Sequence, residues 1–159
     1  MRRIPQRLSW GSILFFLVLA LFYYTVSQRA PGEYVVVRVI DGDTIELSNG
    51  ERVRYIGINA PELHHPQKGV EYFAREAYEA NRRMVEGKRV RLEFDVQKRD
   101  RYGRLLAYVY VGDIMVNEWL VANGYAQVAT YPPNVKYADR FVKLEAEARR
   151  LRIGFWGRP

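Results

Sequence analysis

Residues 34–58 read YVVVRVIDGDTIELSNGERVRYIGI, and the fold is decided here. Residues 34–40 are rich in valine and carry the β-branched pattern of a strand. Asp41-Gly42-Asp43 turns the chain. Residues 44–48 alternate apolar and polar, Asn49-Gly50 is a tight-hairpin signal, and residues 51–58 return as the partner strand. Along that third strand the apolar parity slips, from Val53 and Tyr55 to Ile56 and Ile58. A change of phase predicts a bulge or strong coiling, which a small barrel needs in order to close.

Downstream, residues 59–69 form a polar loop. Val70, Phe73, Ala77, Ala80 and Met84 then recur at helical spacing until Gly87 ends the run. Residues 89–95 alternate as a fourth strand, residues 97–104 are a charged loop, and residues 105–111 are a fifth strand. Residues 116–123 make a short helix stopped by Gly124. Two prolines keep residues 131–134 in a loop. The last helix places Tyr137, Phe141, Leu144, Ala148 and Leu151 on one face. The expected fold is mainly β with α: a five-stranded OB-fold barrel with three helices, one of them between the third and fourth strands.

An N-terminal hydrophobic helix is expected before the barrel. Residues 10–26 (WGSILFFLVLALFYYTV) are 17 residues without a charge, behind Arg2, Arg3 and Arg7. That length reaches the short end of a membrane span, about 17–25 residues. Two readings stay open, an uncleaved anchor and a cleaved secretory signal. Both leave the arginines inside and export the remainder of the chain. The chain thus divides into residues 1–27 (anchor or signal), 28–33 (a linker broken by Pro31 and Gly32) and 34–159 (the barrel domain). The expected location is membrane-anchored with the domain outside the cytoplasm, or secreted.

Composition narrows the chemistry. The 159 residues fit one folded domain. There are no cysteines, which excludes disulfides, thiolate metal sites and a cysteine nucleophile. The two histidines, His64 and His65, are adjacent, and two ligands in a loop make a poor metal site. The formal charge is +7, but four of the 25 cations lie in the first 30 residues, leaving 21 against 18 acids. The domain is therefore mildly basic, which permits a polyanionic partner without requiring one.

Three polar clusters fall where strands end: IDGDT at 40–44, RYIGINAPE at 54–62 and DRYGR at 100–104. The Asn49-Gly50 hairpin folds the end of the third strand back beside the start of the second. Asp43 then neighbours residues 59–62, a concentration of oxygen atoms suited to a hard cation such as Ca²⁺. Arg54 lies on a strand that reads as buried, so it must face a carboxylate or an anion.

These clusters, in this order, resemble the staphylococcal (thermonuclease) nuclease family, from about residue 35 to residue 156. HPQKGVE at 65–71 and MVNEWLVANGYAQVA at 115–129 belong to the likeness. The resemblance implies an OB barrel with three helices, which agrees with the pattern above. It implies calcium-dependent hydrolysis of DNA and RNA at the 5′ P–O bond, leaving 3′-phosphate ends. It implies Arg54, Glu62 and Arg104 as catalytic residues, and Asp43, Asn59 and the Ala60 carbonyl as metal ligands. Arg101, Tyr102 and Tyr131 would hold substrate. The family usually has aspartate where this chain has Asn59. An amide still offers an oxygen but removes a charge, so Ca²⁺ should bind more weakly and Mg²⁺ or Mn²⁺ be better admitted.

Taken singly, each feature has a plainer reading. Asp-Gly-Asp is commonly only a turn, Arg104 a solvated charge, and Arg54 half of an ion pair with Glu46 or Glu51. Most of the tyrosines belong to strands and core. Three classes of function remain: a metal-dependent nuclease acting as a monomer on DNA and RNA, a catalytically inactive membrane-tethered nucleic-acid-binding OB module, and a tethered domain that binds a protein.

Overall fold

The computed structural model describes residues 11, 14–20, 33–63, 67 and 69–157. Two compact units are separated, Met1–Pro31 and Gly32–Pro159. In the first, residues 14–20 are helical and exposed. Most of the expected span at residues 10–26 lies outside the described residues, as do His64 and His65. Among the described residues, no helix is long and apolar enough to cross a membrane.

The second unit is a closed barrel. Strand β1 (Glu33–Asp41) is followed by β2 (Thr44–Leu47), β3 (Arg52–Tyr55) and the two-residue β4 (Ile58–Asn59). Helix α1 (Ala74–Val85) then leads to β5 (Arg89–Glu93) and β6 (Leu105–Val111). Short β7 (Ile114–Met115), α2 (Val116–Ala122), β8 (Gln127–Val128) and α3 (Ala138–Arg150) complete it, with a final 3₁₀ turn at Gly154–Gly157. The strands run in the order β3-β2-β1-β5-β6, and β3 pairs with β6 to close the ring. That five-strand closure with helices packed on it is the expected OB architecture.

Closure depends on β1 serving two neighbours. Its first residues pair with β5, Glu33 opposite Arg91, and its later ones pair with β2, Asp41 opposite Thr44. Register shifts between Val36 and Arg38 and between Val39 and Asp41 supply the coiling that bends one strand into both sheets. The closing ladder is parallel: Val53 opposite Leu105, Arg54 opposite Leu106, Tyr55 opposite Ala107. Val53, Tyr55, Ala107 and Tyr108 are buried.

Three expectations are corrected. The third strand does not run through to Ile58 but stops at Tyr55 and resumes as β4. The break is at Gly57, in the left-handed region (φ 78), where a Cβ would lie 2.8 Å from the Phe141 ring. The parity slip is this break. Helix α1 starts at Ala74, not near Val70, because Glu71 is held to the loop: its N–H donates to the Glu62 carbonyl and its carboxylate accepts the Glu62 N–H, both at 3.0 Å. Phe73 takes a left-handed conformation (φ 66) and stacks on Tyr125 instead of lying on the helix. Leu151 is half exposed at the end of α3, since that helix stops at Arg150.

Two buried amides hold the frame. Asn117 donates to the Ile56 carbonyl and accepts the Val109 N–H, both at 2.9 Å, so α2 is bonded to both sides of the closing seam. Asn81 accepts the Tyr55 hydroxyl at 2.9 Å and donates to the Asp41 carbonyl at 3.1 Å, fixing α1 to the ends of β1 and β3. Burial pushes the Tyr55 hydroxyl pKa far up, so it remains a donor. Replacing Asn117 by Ala strands a carbonyl and an N–H in the core. Urea unfolding should show a loss of about 2–4 kcal/mol.

Candidate active site

Barrel closure opens a cleft of about 760 Å³ over the β3–β6 seam. Asp43, Arg54, Asn59, Glu62, Arg101, Tyr102, Arg104 and Tyr131 all line it. Ala60 lies just behind the lining, buried. The register explains the convergence. Arg54 faces outward between the inward Val53 and Tyr55. Leu106, opposite it on β6, faces the same way, and Arg104 is two residues earlier on that face. Two arginines 50 positions apart in the sequence therefore open onto one cleft.

The floor is a network of oxygen atoms around Arg54. Its Nη1 donates to the carbonyls of Tyr55 and Ile58, both at 2.8 Å. Its Nη2 donates to Asn59 Oδ1 at 2.9 Å and sits 3.1 Å from Asp43 Oδ2. The arginine and aspartate side chains are only 16% and 7% exposed. The same Asp43 oxygen accepts the Ala60 N–H at 2.7 Å, and Asp43 Oδ1 accepts the Thr44 hydroxyl at 3.0 Å. Pairing of β4 with β8, Asn59 opposite Gln127, sets Asn59 in place. The expectation that Arg54 faces a carboxylate or an anion is met by Asp43. Glu46 and Glu51 bond instead to Arg38 and Arg99.

Asp41 is the site residue that sequence reasoning overlooked. It lines the cleft and accepts the Gly42 N–H at 2.9 Å. Its carboxyl pKa is pushed up to about 6, mainly by burial, with the charges of Asp43 and Glu62 adding to the effect. Its signal was present in IDGDT, whose first aspartate ends β1 as the second begins the return. Both had to face one cleft once the turn was tight.

The opposite wall is the loop at residues 97–104. Arg104 Nε donates to Asp100 Oδ2 at 2.7 Å, and the Arg104 and Tyr102 N–H groups both donate to Asp100 Oδ1. Gly103 (φ 81) makes this tight loop feasible. Arg101 donates to the Tyr102 hydroxyl at 2.6 Å and stacks over its ring. Tyr102 and Tyr131 are 69% and 74% exposed, open faces at the rim. Asn134 joins the two rims. Its amide accepts the Gln97 N–H at 2.7 Å and donates to the Gln97 carbonyl at 2.8 Å.

A match to the family model described as Staphylococcal nuclease homologue covers residues 52–158. The chain belongs to this family. It is 40% identical over 126 residues to a thermonuclease of Staphylococcus hyicus, covering 77% of this chain and 75% of that one. It is 41% identical over 128 residues to a thermonuclease of Staphylococcus intermedius, covering 79% and 76%. It is 42% identical over 140 residues to endonuclease YncB of Bacillus subtilis, covering 85% and 66%. The matched segment contains the closing seam, the three cleft arginines and Glu62; Asp41 and Asp43 precede it.

The donors at the floor suit a hard cation in kind: Asp43 and the Asn59 amide oxygen, with Asp41 and Glu62 lining the same cleft; the Ala60 carbonyl expected with them belongs to a buried residue outside the lining. Among the described residues, no group of three or more His, Asp or Glu stands close enough to form a metal cage. One carboxylate and two neutral oxygens fit a loosely held ion.

Burial opposes ionisation of Asp100, but the bonds from the Arg104 guanidinium and the two N–H groups outweigh it and hold its pKa below the ordinary 3.8. A lowered folded pKa stabilises above the unfolded value and loses that contribution as pH falls through the folded one. Asp100→Asn should therefore cost about 1–2 kcal/mol at neutral pH. In urea unfolding the gap to the parent should shrink once pH drops below 3.8, the ordinary carboxyl value.

Proposed function

We propose that this member of the staphylococcal nuclease family hydrolyses phosphodiester bonds of DNA and RNA at the 5′ P–O bond, leaving 3′-phosphate ends. The observation that carries the reading is a single cleft lined by three arginines, a glutamate and a set of oxygen donors. A phosphoryl centre needs charge neutralised on its oxygens, a water activated and a leaving group placed in line.

Arg104 presents its free Nη groups to the equatorial oxygens, held by Asp100 through Nε alone. Arg54 supplies the second cation from the floor. Arginine suits both positions because its planar fork takes two oxygens and stays protonated. Glu62 takes the proton of the attacking water, a contribution of roughly 10²–10⁴-fold. Asp43, Asn59 and Ala60 would hold Ca²⁺, which would supply Lewis-acid polarisation of a phosphoryl oxygen. Tyr102 and Tyr131 stack on bases, at about 1–3 kcal/mol per base and with little regard for sequence. Arg101 steers the phosphate backbone.

Residues 10–26, behind three arginines, support export of the domain, tethered to the membrane or released. A second reading, a nucleic-acid-binding OB module without catalysis, is favoured by one observation: Asn59 is neutral and bonded to Arg54.

Cleavage of single-stranded DNA separates the two. The full chain should cut in calcium and stop in chelator. Glu62→Gln should lower the rate by about 10²-fold or more while leaving DNA binding intact. Binding with no cutting at millimolar calcium would establish the second reading. Asn59→Asp should lower the calcium needed for half-maximal rate, and an unchanged requirement would remove Asn59 from the ligand set.

A further inference from the structure

Arg54 commits both of its Nη groups to the protein. Nη1 donates to the main-chain carbonyls of Tyr55 and Ile58, and Nη2 donates to Asn59 Oδ1 and is ion-paired with Asp43 Oδ2 at 3.1 Å. A guanidinium has five N–H donors, and the Nε–H is not among those used. A bidentate hold on a phosphate needs two parallel N–H groups. As arranged, Nη2 is held to the floor by Asn59 and by the charge of Asp43. Asp43 Oδ2 belongs to the oxygen set assigned to the cation. One carboxylate oxygen thus has two claimants, an arginine and a cation.

We propose that Arg54 is a latch shared by the cation site and the phosphate site. Without a cation, Nη2 closes on Asp43 and Asn59. With a cation on those oxygens, Nη2 is displaced, and the freed N–H joins Nε–H as the fork for phosphate. The two main-chain bonds at Nη1 keep the side chain in the cleft while Nη2 changes partner. The inference rests on the calcium reading of the site and adds an order to it. Cation binding precedes firm phosphate binding, and each strengthens the other. Linkage makes that coupling reciprocal, and couplings of this kind are typically about 5- to 150-fold. It also means that the latch lowers the chain's own affinity for the cation.

The test measures calcium binding by calorimetry on the full chain in mild detergent, with no nucleic acid present. The parent is compared with Arg54→Gln and Arg54→Lys. Lysine keeps the charge but lacks the planar fork. Both variants should bind calcium more tightly, by about tenfold. Tightening in Arg54→Gln alone would mean simple charge repulsion and overturn the latch. Weakening in both would mean that Arg54 organises the ligands, and would overturn it too. No binding by any of the three would overturn the calcium reading itself, and the latch with it. Calcium bound equally by all three would overturn the latch and leave the calcium reading standing. If the variants fail to fold in a urea titration, ¹⁵N spectra of the parent's guanidinium groups decide. The Arg54 Nη2 signals should be protected without calcium and shift on its addition. Signals that stay unmoved at saturating calcium would overturn the proposal.

Discussion

The parallel ladder between β3 and β6 is the constraint on which everything else in the barrel unit hangs. It is three residue pairs long. It joins segments about 50 residues apart, so its closure entropy has to be met by contacts made elsewhere. The coiled β1, the buried Asn117 bonds across the seam and the core side chains of Val53, Tyr55 and Ala107 are those contacts. Once the ladder forms, its outward face is fixed by the pleat, and Arg54 and Arg104 have no freedom to be anywhere but together. The site is a by-product of closing the ring.

The cleft is graded electrically. At its floor, burial raises the pKa of Asp41, and the charges of Asp43 and Glu62 add to the effect. At its rim stand Arg101 and Arg104, with Asp100 held ionised beneath them. Arg54 lies between the two zones, nearly buried, bonded through both Nη groups and ion-paired with Asp43. An unpaired charge at that depth would be very costly. The surrounding carbonyls are what allow a permanent cation to sit there whatever else binds.

Much of this was legible in the sequence because it was local. The Asn49-Gly50 hairpin forces β2 against β3, and Asp43 near residues 59–62 is a direct consequence. The alternation of residues 89–95 and the Gly124 stop depend on nearest neighbours alone. What escaped was set by partners distant in the chain. Val70 and Phe73 sit at helical spacing, yet Glu71 bonds back to Glu62 and delays the helix. Gly57 breaks β3 because Phe141, 84 positions on, leaves no room for a Cβ. Asp41 looked like half of a turn until Glu62 was brought beside it. The Asn134–Gln97 clamp between the rims joins two loops that carry no periodic signal at all.

Asn59 looks at first like a lesion, a lost carboxylate where a cation is expected. The geometry argues against so simple a reading. Asn59 Oδ1 is also a partner of Arg54 Nη2, so a neutral side chain weakens the arginine's grip on the floor as well as the cation's. The two effects oppose each other in the net binding of a cation, which has to displace that arginine. They do not cancel. Coulomb energy scales with the product of the charges, so a divalent ion loses about twice what a guanidinium loses when one negative charge is removed at similar distance. The residual effect is a cation held more weakly, but by less than the missing charge alone would cost. On the proposed reading, the neutral residue leaves a site that would still hold a cation, with a less stable latched position of Arg54.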